Sequence, residues 1–420
     1  MYFSNKDLKL QAIYNLGIYI TQLVLKIISI FNHKIKLGVN GRKESFNILS
    51  TNISETDKTL WFHCASLGEY EQGLPVFKEL RKSYPNHKIV LTFFSPSGYE
   101  IRKNTDIADV VVYLPIDTKA NAKKFLDVVR PELTVFVKYD IWPNILNELK
   151  KRQLKAILIS ALFRDNQIYF KSYGHFMKNA LFAFDHIFTQ NNSSKILLES
   201  IDYNHVTVSG DTRFDRVNNQ LEQNNNLDFI EQFKNNKLCI VAGSTWPEDE
   251  AYLIKFINNI SSDEIKLIIA PHNIKHAQIN KLKQSINKKS ILFSEKKQAP
   301  LEDFQVLIID TIGLLSKIYS YADIAYVGGA VGNTGLHNTL EPAVFGIPII
   351  IGENFKHFPE AEIMLKNKGM FSIQNTNNLS VTLKKLIENS EMRIHSGRKN
   401  LDYIKNNTGA VIQIMSYIRK

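Results

Sequence analysis

The sequence predicts an α/β protein made of two doubly wound parallel-sheet domains in tandem, preceded by an N-terminal helix. Short apolar runs alternate with longer helix-like segments along most of the 420 residues. This alternation is typical of strands joined by helical crossovers, which pair in parallel. It stops at a polar, asparagine-rich stretch, 217–226, and then begins again. Two sheets separated by a linker therefore account for the pattern.

The candidate strands fall into two sets of seven. Those of the first set are Leu60–Ser66, Ile89–Ser95, Val110–Leu114, Leu133–Tyr139, Ala156–Ser160, His186–Thr189 and Val206–Ser209. Those of the second are Leu238–Ala242, Ile265–Ala270, Ser290–Phe293, Val306–Ile309, Ile324–Val327, Ile347–Ile351 and Met370–Ile373. The chain is accordingly divided into an N-terminal segment 1–45, a first domain 46–216, a linker 217–236 and a second domain 237–420.

The N-terminal segment is largely apolar over Leu8–Phe31, but polar side chains such as Lys9, Asn15 and Gln22 interrupt it. A spanning helix needs about 20 apolar residues, and a cleavable signal ends in small residues, so neither pattern fits well. Basic residues follow closely, namely Lys34, Lys36, Arg42 and Lys43. An apolar helix with a basic flank is typical of a segment lying on anionic lipid. A buried helix and a short spanning anchor are the alternatives.

The composition is that of a globular protein, with 44% hydrophobic and 22% charged residues, and it argues against disorder. The formal net charge of +11 favours an anionic partner: nucleic acid, a phosphorylated substrate or an acidic membrane. Both cysteines, Cys64 and Cys239, lie in apolar runs and are predicted to be core residues. No cysteine and histidine spacing typical of zinc is present, so no metal site is predicted.

Polar motifs follow several strands, and ligands of open parallel sheets bind at the carboxyl ends of strands. Two such domains predict a cleft between them. Glu69 follows Ser66 and Gly68 after the first strand, and from spacing alone it is equally a capping-box residue or a proton acceptor. Asp140 follows the fourth strand, where it could act on a ligand, pair with the lysine two residues before it or cap a helix. Arg213, near the end of the domain, could bind phosphate or lie in solvent.

In the second domain, Pro271 and His272 stand at a strand end. The glycine-rich stretch 328–335 matches neither the G-x-G-x-x-G nor the P-loop pattern, yet it allows a phosphate to approach the backbone. Asn338 and Glu341 have the spacing of a helix cap. The same Glu341 could instead hold the ribose hydroxyl groups of a nucleotide.

Taken in order, these motifs resemble those of the 3-deoxy-D-manno-octulosonic acid (Kdo) transferases of Gram-negative bacteria. The matching features are the apolar N-terminus, Ser-x-Gly-Glu, Ile-Trp-Pro-Asn, Gly-Asp-Thr-Arg-Phe-Asp, Ala-Pro-His and Gly-x-His-Asn-x-Leu-Glu-Pro. The resemblance implies a GT-B fold with a cleft and metal-independent, inverting transfer without a cofactor. It further implies CMP-Kdo as donor, a lipid A precursor as acceptor, and lipopolysaccharide biosynthesis at the cytoplasmic face of the inner membrane.

The resemblance also implies residue roles. Glu69 would be the general base, and Asp140 and Arg213 would stabilise the transition state. The implied substrate-binding residues are Ser66, Gly68, Pro271, His272, Ile312, Gly313, Leu314, Asn338, Thr339, Leu340 and Glu341. The chain departs from the family at three of these positions, because the family commonly has Glu at the position of Asp140, Lys at that of Arg213 and an acidic residue at that of Leu314.

Three other functions are weighed against this one. A UDP-sugar transferase or a sugar-nucleotide epimerase would share the two-domain layout. A basic nucleic-acid-binding protein would share the charge, but no Lys/Arg-rich run or nucleic-acid module is present. A non-catalytic membrane scaffold would share the N-terminal segment. The sequence predicts neither the oligomeric state nor the number of Kdo units transferred.

Overall fold

A computed structural model describes residues 5–297 and 299–419. The outermost residues of the predicted ranges 1–45 and 237–420, which are 1–4 and 420, lie outside the described residues, as does Gln298. The chain forms two units. The first unit consists of Met1–Arg216 and Thr408–Lys420, and the second of Val217–Asn407.

The first unit is built on a seven-stranded parallel sheet. Its strands are β1 (Thr59–Cys64), β2 (Lys88–Phe93), β3 (Val110–Tyr113), β4 (Pro131–Val137), β5 (Ala156–Ala161), β6 (His186–Thr189) and β7 (Val206–Val208). They are arranged in the order β3-β2-β1-β4-β5-β6-β7. The central strands β1 and β5 are buried along their whole length, which explains their continuous apolar sequence. All seven predicted strands of this domain are confirmed.

Helices cover both faces of this sheet. They are α1 (Asn5–Ile28), α2 (His33–Asn52), α3 (Leu67–Ser83), α4 (Pro96–Arg102), α5 (Lys119–Val129), α6 (Pro143–Lys151), α7 (His175–Leu181), α8 (Asn192–Glu199) and α9 (Thr212–Asn218). Successive residues of β1 enter two different cores. Phe62 packs in the core that contains Phe77 of α3, whereas Trp61 packs in the core that contains Phe125 of α5.

The N-terminal helix α1 presents apolar side chains to solvent. Its segment Leu10–Ile28 is long and apolar enough to cross a membrane, and none of it is buried. Exposed side chains include Ile13, Leu16, Ile20, Leu23, Val24 and Ile27. The predicted basic flank is only partly available, because Arg42 of α2 donates hydrogen bonds to the carbonyl oxygens of Leu114 and Phe94. Its guanidinium group also stacks on the Phe94 ring.

The second unit repeats the architecture. Its strands are β8 (Leu238–Thr245), β9 (Ile265–Pro271), β10 (Ser290–Leu292), β11 (Val306–Ile308), β12 (Ile324–Val327), β13 (Ile349–Ile351) and β14 (Met370–Ser372). They form a parallel sheet in the order β10-β11-β9-β8-β12-β13-β14. Its helices are α10 (Asp228–Lys234), α11 (Pro247–Asn259), α12 (His276–Gln284), α13 (Leu315–Ile318), α14 (Leu340–Ala343), α15 (Pro359–Lys366), α16 (Thr376–Glu388) and α17 (Ser390–Asn406). The seven predicted strands are again confirmed, and the two cysteines are buried and free.

Two observed boundaries differ from the predicted ones. The range 217–236, predicted as a linker, contains α10, whose Ile230 and Phe233 are fully buried. The last helix, α18 (Ala410–Ile418), follows the second unit in sequence but belongs to the first. Its Ile414 and Met415 enter the same core as α3. Sequence periodicity reports that a helix has an apolar face, but it does not report which sheet that face meets.

Candidate active site

Glu69 and Asp140 follow two neighbouring strands of the first unit. Glu69 lies in the first turn of α3, directly after β1, and Asp140 lies in the loop after β4. Strands β1 and β4 pair side by side, while β2 and β5 extend the sheet in opposite directions. Such a reversal of strand order is the point at which open α/β sheets bind their ligands. The fold therefore offers a ligand position next to both carboxyl groups.

The Glu69 carboxylate folds back onto the end of β1. Its Oε2 atom accepts a hydrogen bond from the backbone N–H of Ala65, and the residue is only 7% exposed. Ser66 occupies the N-cap position of α3 but makes no capping hydrogen bond through its side chain. The reciprocal capping box therefore does not form. Glu69 satisfies a strand-end amide with one oxygen atom, and its second oxygen is not needed for that contact.

The pKa of Glu69 is raised above its usual value. Burial is the largest cause, and the negative charge of Asp140 adds to it. His63, the Ala65 amide and Lys138 act in the opposite direction. A carboxylate with a raised pKa is a stronger base, and pKa values nearer the working pH suit general-base catalysis. Burial next to a like charge is the arrangement by which proteins produce such a shift.

Asp140 belongs to a hydrogen-bonded network that reaches into the sheet. Its Oδ2 atom hydrogen-bonds His63 Nε2 and accepts the indole N–H of Trp142 at 2.8 Å. His63 is fully buried in β1, and its Nδ1 atom lies 2.8 Å from the Thr92 hydroxyl group. Trp61 donates to the same hydroxyl oxygen. These contacts hold the Asp140 carboxylate in one orientation.

Arg213 is paired with a neighbouring carboxylate. Its Nε atom donates to Asp211 Oδ2 at 2.8 Å, and its side chain is 32% exposed. Asp211 is buried and accepts a further hydrogen bond from Gln72, which lies on α3 one turn after Glu69. Arg213 is therefore held beside the helix that contains Glu69. The Asp211 carboxylate fixes the orientation of its guanidinium group.

The two small residues before Glu69 leave space around it. Gly68 is exposed, and a Cβ atom at this position would meet nothing closer than Ser66 Oγ at 3.9 Å. Ser66 is half-buried. Because internal packing does not require glycine here, the open surface at Gly68 is compatible with the approach of a substrate.

In the second unit, a glycine-rich loop follows β12 at the corresponding reversal of strand order, between β8 and β12. The buried Asp249 of α11 fixes this loop, since it accepts hydrogen bonds from the Gly329 N–H, the Trp246 N–H and the Tyr326 hydroxyl group. Gly329 has φ of 96°, and a Cβ atom would lie 2.1 Å from the Gly335 carbonyl oxygen. Glycine is therefore required at this turn.

Three rings stack where β8 and β9 end. His272 lies 4.7 Å from the Trp246 ring and 4.4 Å from the His337 ring, with both pairs close to parallel. The Trp246 indole donates to His337 Nε2 at 3.0 Å. Burial, with a smaller contribution from His272, lowers the pKa of His337 to about 4, and burial also lowers that of His272. At neutral pH this cluster is an uncharged aromatic surface with His272 on its exposed side.

The segment 338–341 leads into the short helix α14. Asn338 Oδ1 accepts the Leu340 N–H, and Asn338 Nδ2 donates to Glu341 Oε1 at 3.0 Å. The Asn338 side chain thus caps the first turn of α14 and also orients the Glu341 carboxylate. Leu340 is fully buried, and the buried Thr339 Oγ1 has no hydrogen-bond partner in the structure.

The segment 312–314 connects β11 to α13. Ile312 is 85% exposed, and Gly313 has φ of 90° with no atom near the position of a Cβ. Leu314 begins α13 as its N-cap residue without a side-chain cap. An exposed isoleucine beside an unpacked glycine makes no visible contribution to the core, so packing alone does not explain this sequence.

A family model described as 3-Deoxy-D-manno-octulosonic-acid transferase (kdotransferase) matches residues 40–216, the range that contains Glu69, Asp140 and Arg213. Residues 40–216 therefore match a Kdo transferase domain, and the chain is similar to Kdo transferases over most of its length. The 3-deoxy-D-manno-octulosonic acid transferase of Haemophilus influenzae is 25% identical to it over 373 residues, which cover 86% of each chain. That of Aquifex aeolicus is 28% identical over 336 residues, covering 78% of this chain and 86% of its own.

Solved structures share the fold of this chain. The UDP-GlcNAc 2-epimerase of Neisseria meningitidis superposes with a TM-score of 0.59 over 86% of this chain and 100% of its own, at 16% identity. A glycosyltransferase from Rickettsia africae superposes with a TM-score of 0.56 over 86% of this chain and 98% of its own, at 13% identity. The chain therefore has the GT-B fold, and like its Kdo transferase relatives it is a glycosyltransferase.

Four aromatic or imidazole side chains of these sites were not predicted as site residues: His63, Trp142, Trp246 and His337. Two signals were available, since a histidine within an apolar strand and a tryptophan before proline at a helix start are both uncommon. Neither signal identifies a partner, because a local pattern does not show that His63 meets Asp140 or that Trp246 meets His337. Within residues 5–297 and 299–419, no group of three or more His, Cys, Asp or Glu side chains is arranged to hold a metal ion.

Proposed function

We propose that this glycosyltransferase moves Kdo from CMP-Kdo to a lipid A precursor, an acylated and phosphorylated glucosamine disaccharide, in lipopolysaccharide biosynthesis. Glu69 removes the proton from the primary hydroxyl group of the acceptor. The oxygen forms a bond to the anomeric carbon of Kdo while the bond from that carbon to the phosphate of CMP breaks. Attack from the opposite face inverts the anomeric configuration, and CMP leaves.

The main observation in support of this proposal is the burial and the raised pKa of the Glu69 carboxyl group. This group lies next to the open surface at Gly68 and at the reversal of strand order in the sheet. The similarity to Kdo transferases supports the reaction class. Because positive charge grows on the sugar ring and negative charge on the leaving phosphate, Asp140 and Arg213 are proposed to stabilise the transition state.

The donor is proposed to bind to the second unit without a metal ion. Pro271, His272, the segment 312–314 and the segment 338–341 are proposed to contact CMP. The uncharged ring cluster around His272 supports this assignment because it offers a flat aromatic surface, and Glu341 is already oriented by Asn338.

The helix α1 is proposed to rest on the cytoplasmic face of the inner membrane, where the lipid acceptor is found. Its unburied apolar side chains and the exposed Lys34, Lys36 and Lys43 support a location at an anionic lipid surface.

The decisive experiment incubates the purified full-length protein with CMP-Kdo and the lipid A precursor and counts the added sugars by mass spectrometry. Glu69→Ala should lose about 10²–10⁴-fold in rate, the usual contribution of a general base. Glu79→Ala, at a half-buried position near the end of the same helix where the carboxylate pairs with Lys82, is the matched control. Near-normal transfer by Glu69→Ala would contradict the proposed role of Glu69 as the general base. NMR of the product reports inversion, and activity in EDTA reports metal independence.

Nucleotide preference distinguishes this function from its nearest alternatives. CMP should raise the thermal unfolding midpoint more than UDP does at equal concentration, because a ligand stabilises the state that binds it. A preference for UDP would favour a UDP-sugar transferase or epimerase instead. A His272→Ala variant should lose the stabilisation by CMP.

A further inference from the structure

The helix α1 is attached to the first unit by two polar side chains. The Tyr14 hydroxyl group donates to Asp117 Oδ2 at 2.8 Å, and Asn15 Oδ1 accepts a hydrogen bond from Asn144 Nδ2 at 2.9 Å. The Tyr14 ring also lies 5.4 Å from the Phe176 ring. One of the polar residues that interrupt the apolar N-terminal sequence thus makes a specific contact with the folded unit.

Asp117 is the point where this attachment meets the active-site loop. It lies between β3 and α5, is 3% exposed, and its carboxylate accepts three hydrogen bonds. Besides that of Tyr14, these come from the backbone N–H groups of Asn144 and Ile145, each at 2.9 Å. Both amides belong to the first turn of α6, whose N-cap residue Trp142 makes no side-chain cap. Asp117 therefore caps α6 from a distant part of the sequence.

The capped helix start carries the contact to Asp140. Trp142 is the N-cap residue of α6, and its indole group donates to Asp140 Oδ2 at 2.8 Å. The Trp142 ring is also fixed by the Phe94 ring at 4.8 Å. A continuous set of hydrogen bonds and one short segment of backbone therefore joins Tyr14 of α1 to Asp140, which in turn contacts His63.

We propose that Asp117 is a positioning residue through which the seated helix α1 orients Trp142 and Asp140 for transfer. This role rests on the proposed function of Asp140. It means that α1 does more than bring the protein to lipid. Loss of the contact between Tyr14 and Asp117 loosens the start of α6, so that the indole group no longer holds the Asp140 carboxylate in one place.

Tyr14→Phe tests this role because it removes one hydroxyl group and keeps the ring. Tyr19→Phe is the matched control, since Tyr19 lies on the same helix and is 56% exposed. Rates are measured with full-length protein in detergent micelles at saturating lipid acceptor, so that recruitment to a bilayer does not limit them. Tyr14→Phe should lower kcat about three- to tenfold, the size of effect expected for losing one typical hydrogen bond, with KM for CMP-Kdo unchanged.

A double-mutant cycle separates positioning from a general structural effect. In the Asp140→Asn background, Tyr14→Phe should cause no further loss of kcat, because its effect passes through Asp140. A second variant, Asp117→Asn, should show the same dependence on Asp140. Equal kcat for Tyr14→Phe and Tyr19→Phe, or a full additional loss in the Asp140→Asn background, would overturn the inference. Absence of transfer by the unmodified protein would instead reject the proposed function.

Discussion

The Glu69 carboxyl group is buried at the end of β1 and lies in the field of Asp140. Both effects favour its protonated form, while His63, the Ala65 amide and Lys138 favour its charged form. The protonation of a single residue therefore depends on the side chains that surround its carboxyl group, and it affects both the activity and the stability of the protein.

Asp140→Asn should move the acid limb of the kcat/KM profile to lower pH. The substitution removes the negative charge that raises the pKa of Glu69, so Glu69 stays deprotonated in more acidic solution. The rate should be measured between pH 4.5 and pH 8 with CMP-Kdo as donor. Asp165→Asn, an exposed loop residue, is the control. A limb that stays in place or moves to higher pH would contradict the assignment of Glu69.

Glu69→Gln should stabilise the folded protein at neutral pH although it removes the general base and slows transfer. The folded-state pKa of Glu69 lies above the usual value near 4.5, so the native state binds the extra proton and loses stability as pH rises through that window. Glutamine keeps the acceptor for the Ala65 amide and does not titrate. The gain in unfolding midpoint should therefore grow between pH 4.5 and pH 8. If the variant were equally stable or less stable than the unmodified protein at pH 8, the raised pKa of Glu69 in the folded state would be contradicted.

At the scale of elements, carboxylates from elsewhere in the chain cap helices that lack caps of their own. Asp117 does so for α6, and Asp215 does so for α18, which is preceded by Gly409. Burial raises the pKa of Asp215, and the amides of Gly409, Ala410 and Val411 lower it. Part of the Gly-Asp-Thr-Arg-Phe-Asp segment therefore serves to hold the last helix of the chain.

Asp215→Ala should destabilise the first unit, because the N–H groups at the start of α18 would lose their acceptor. Loss of a helix cap usually costs about 1–2 kcal/mol. Urea unfolding compared with that of the exposed-site variant Asp165→Ala measures the difference. Equal unfolding midpoints for the two variants would show that the cap is not needed.

At the scale of the whole molecule, the chain leaves the first unit at residue 216 and returns to it at residue 408. The returning helix α18 buries Ile414, Met415 and Ile418 in the core that also contains Val76 and Phe77 of α3. The first unit is therefore complete only when the end of the chain is present.

Removal of residues 408–420 should destabilise the first unit and leave the second unaffected. Three buried apolar side chains would be lost, a change of roughly 5 kcal/mol at the usual value per side chain. Hydrogen exchange followed by mass spectrometry should show faster exchange in α3 and unchanged exchange in α11 of the second unit. Undiminished protection of α3 would contradict the assignment of α18 to the first core.

The sequence alone determined the fold class, the fourteen strands and the placement of Glu69, Asp140 and His272 at strand ends. These properties depend on local periodicity, because strands buried on both faces are continuously apolar and loops between them carry polar residues. The order of motifs was sufficient to indicate the Kdo transferase family. The core placement of Cys64 and Cys239 followed from the same local pattern.

Only the tertiary structure decided which residues meet. His63 of β1 meets Asp140 of the loop after β4, Asp117 of the loop after β3 caps α6, and α18 returns to the first unit. It also decided that Glu69 binds the Ala65 amide without a capping box and that Arg42 packs on Phe94 rather than extending the basic flank. Contacts between residues far apart in sequence depend on strand order and register, and a local pattern of residue types carries no information about either.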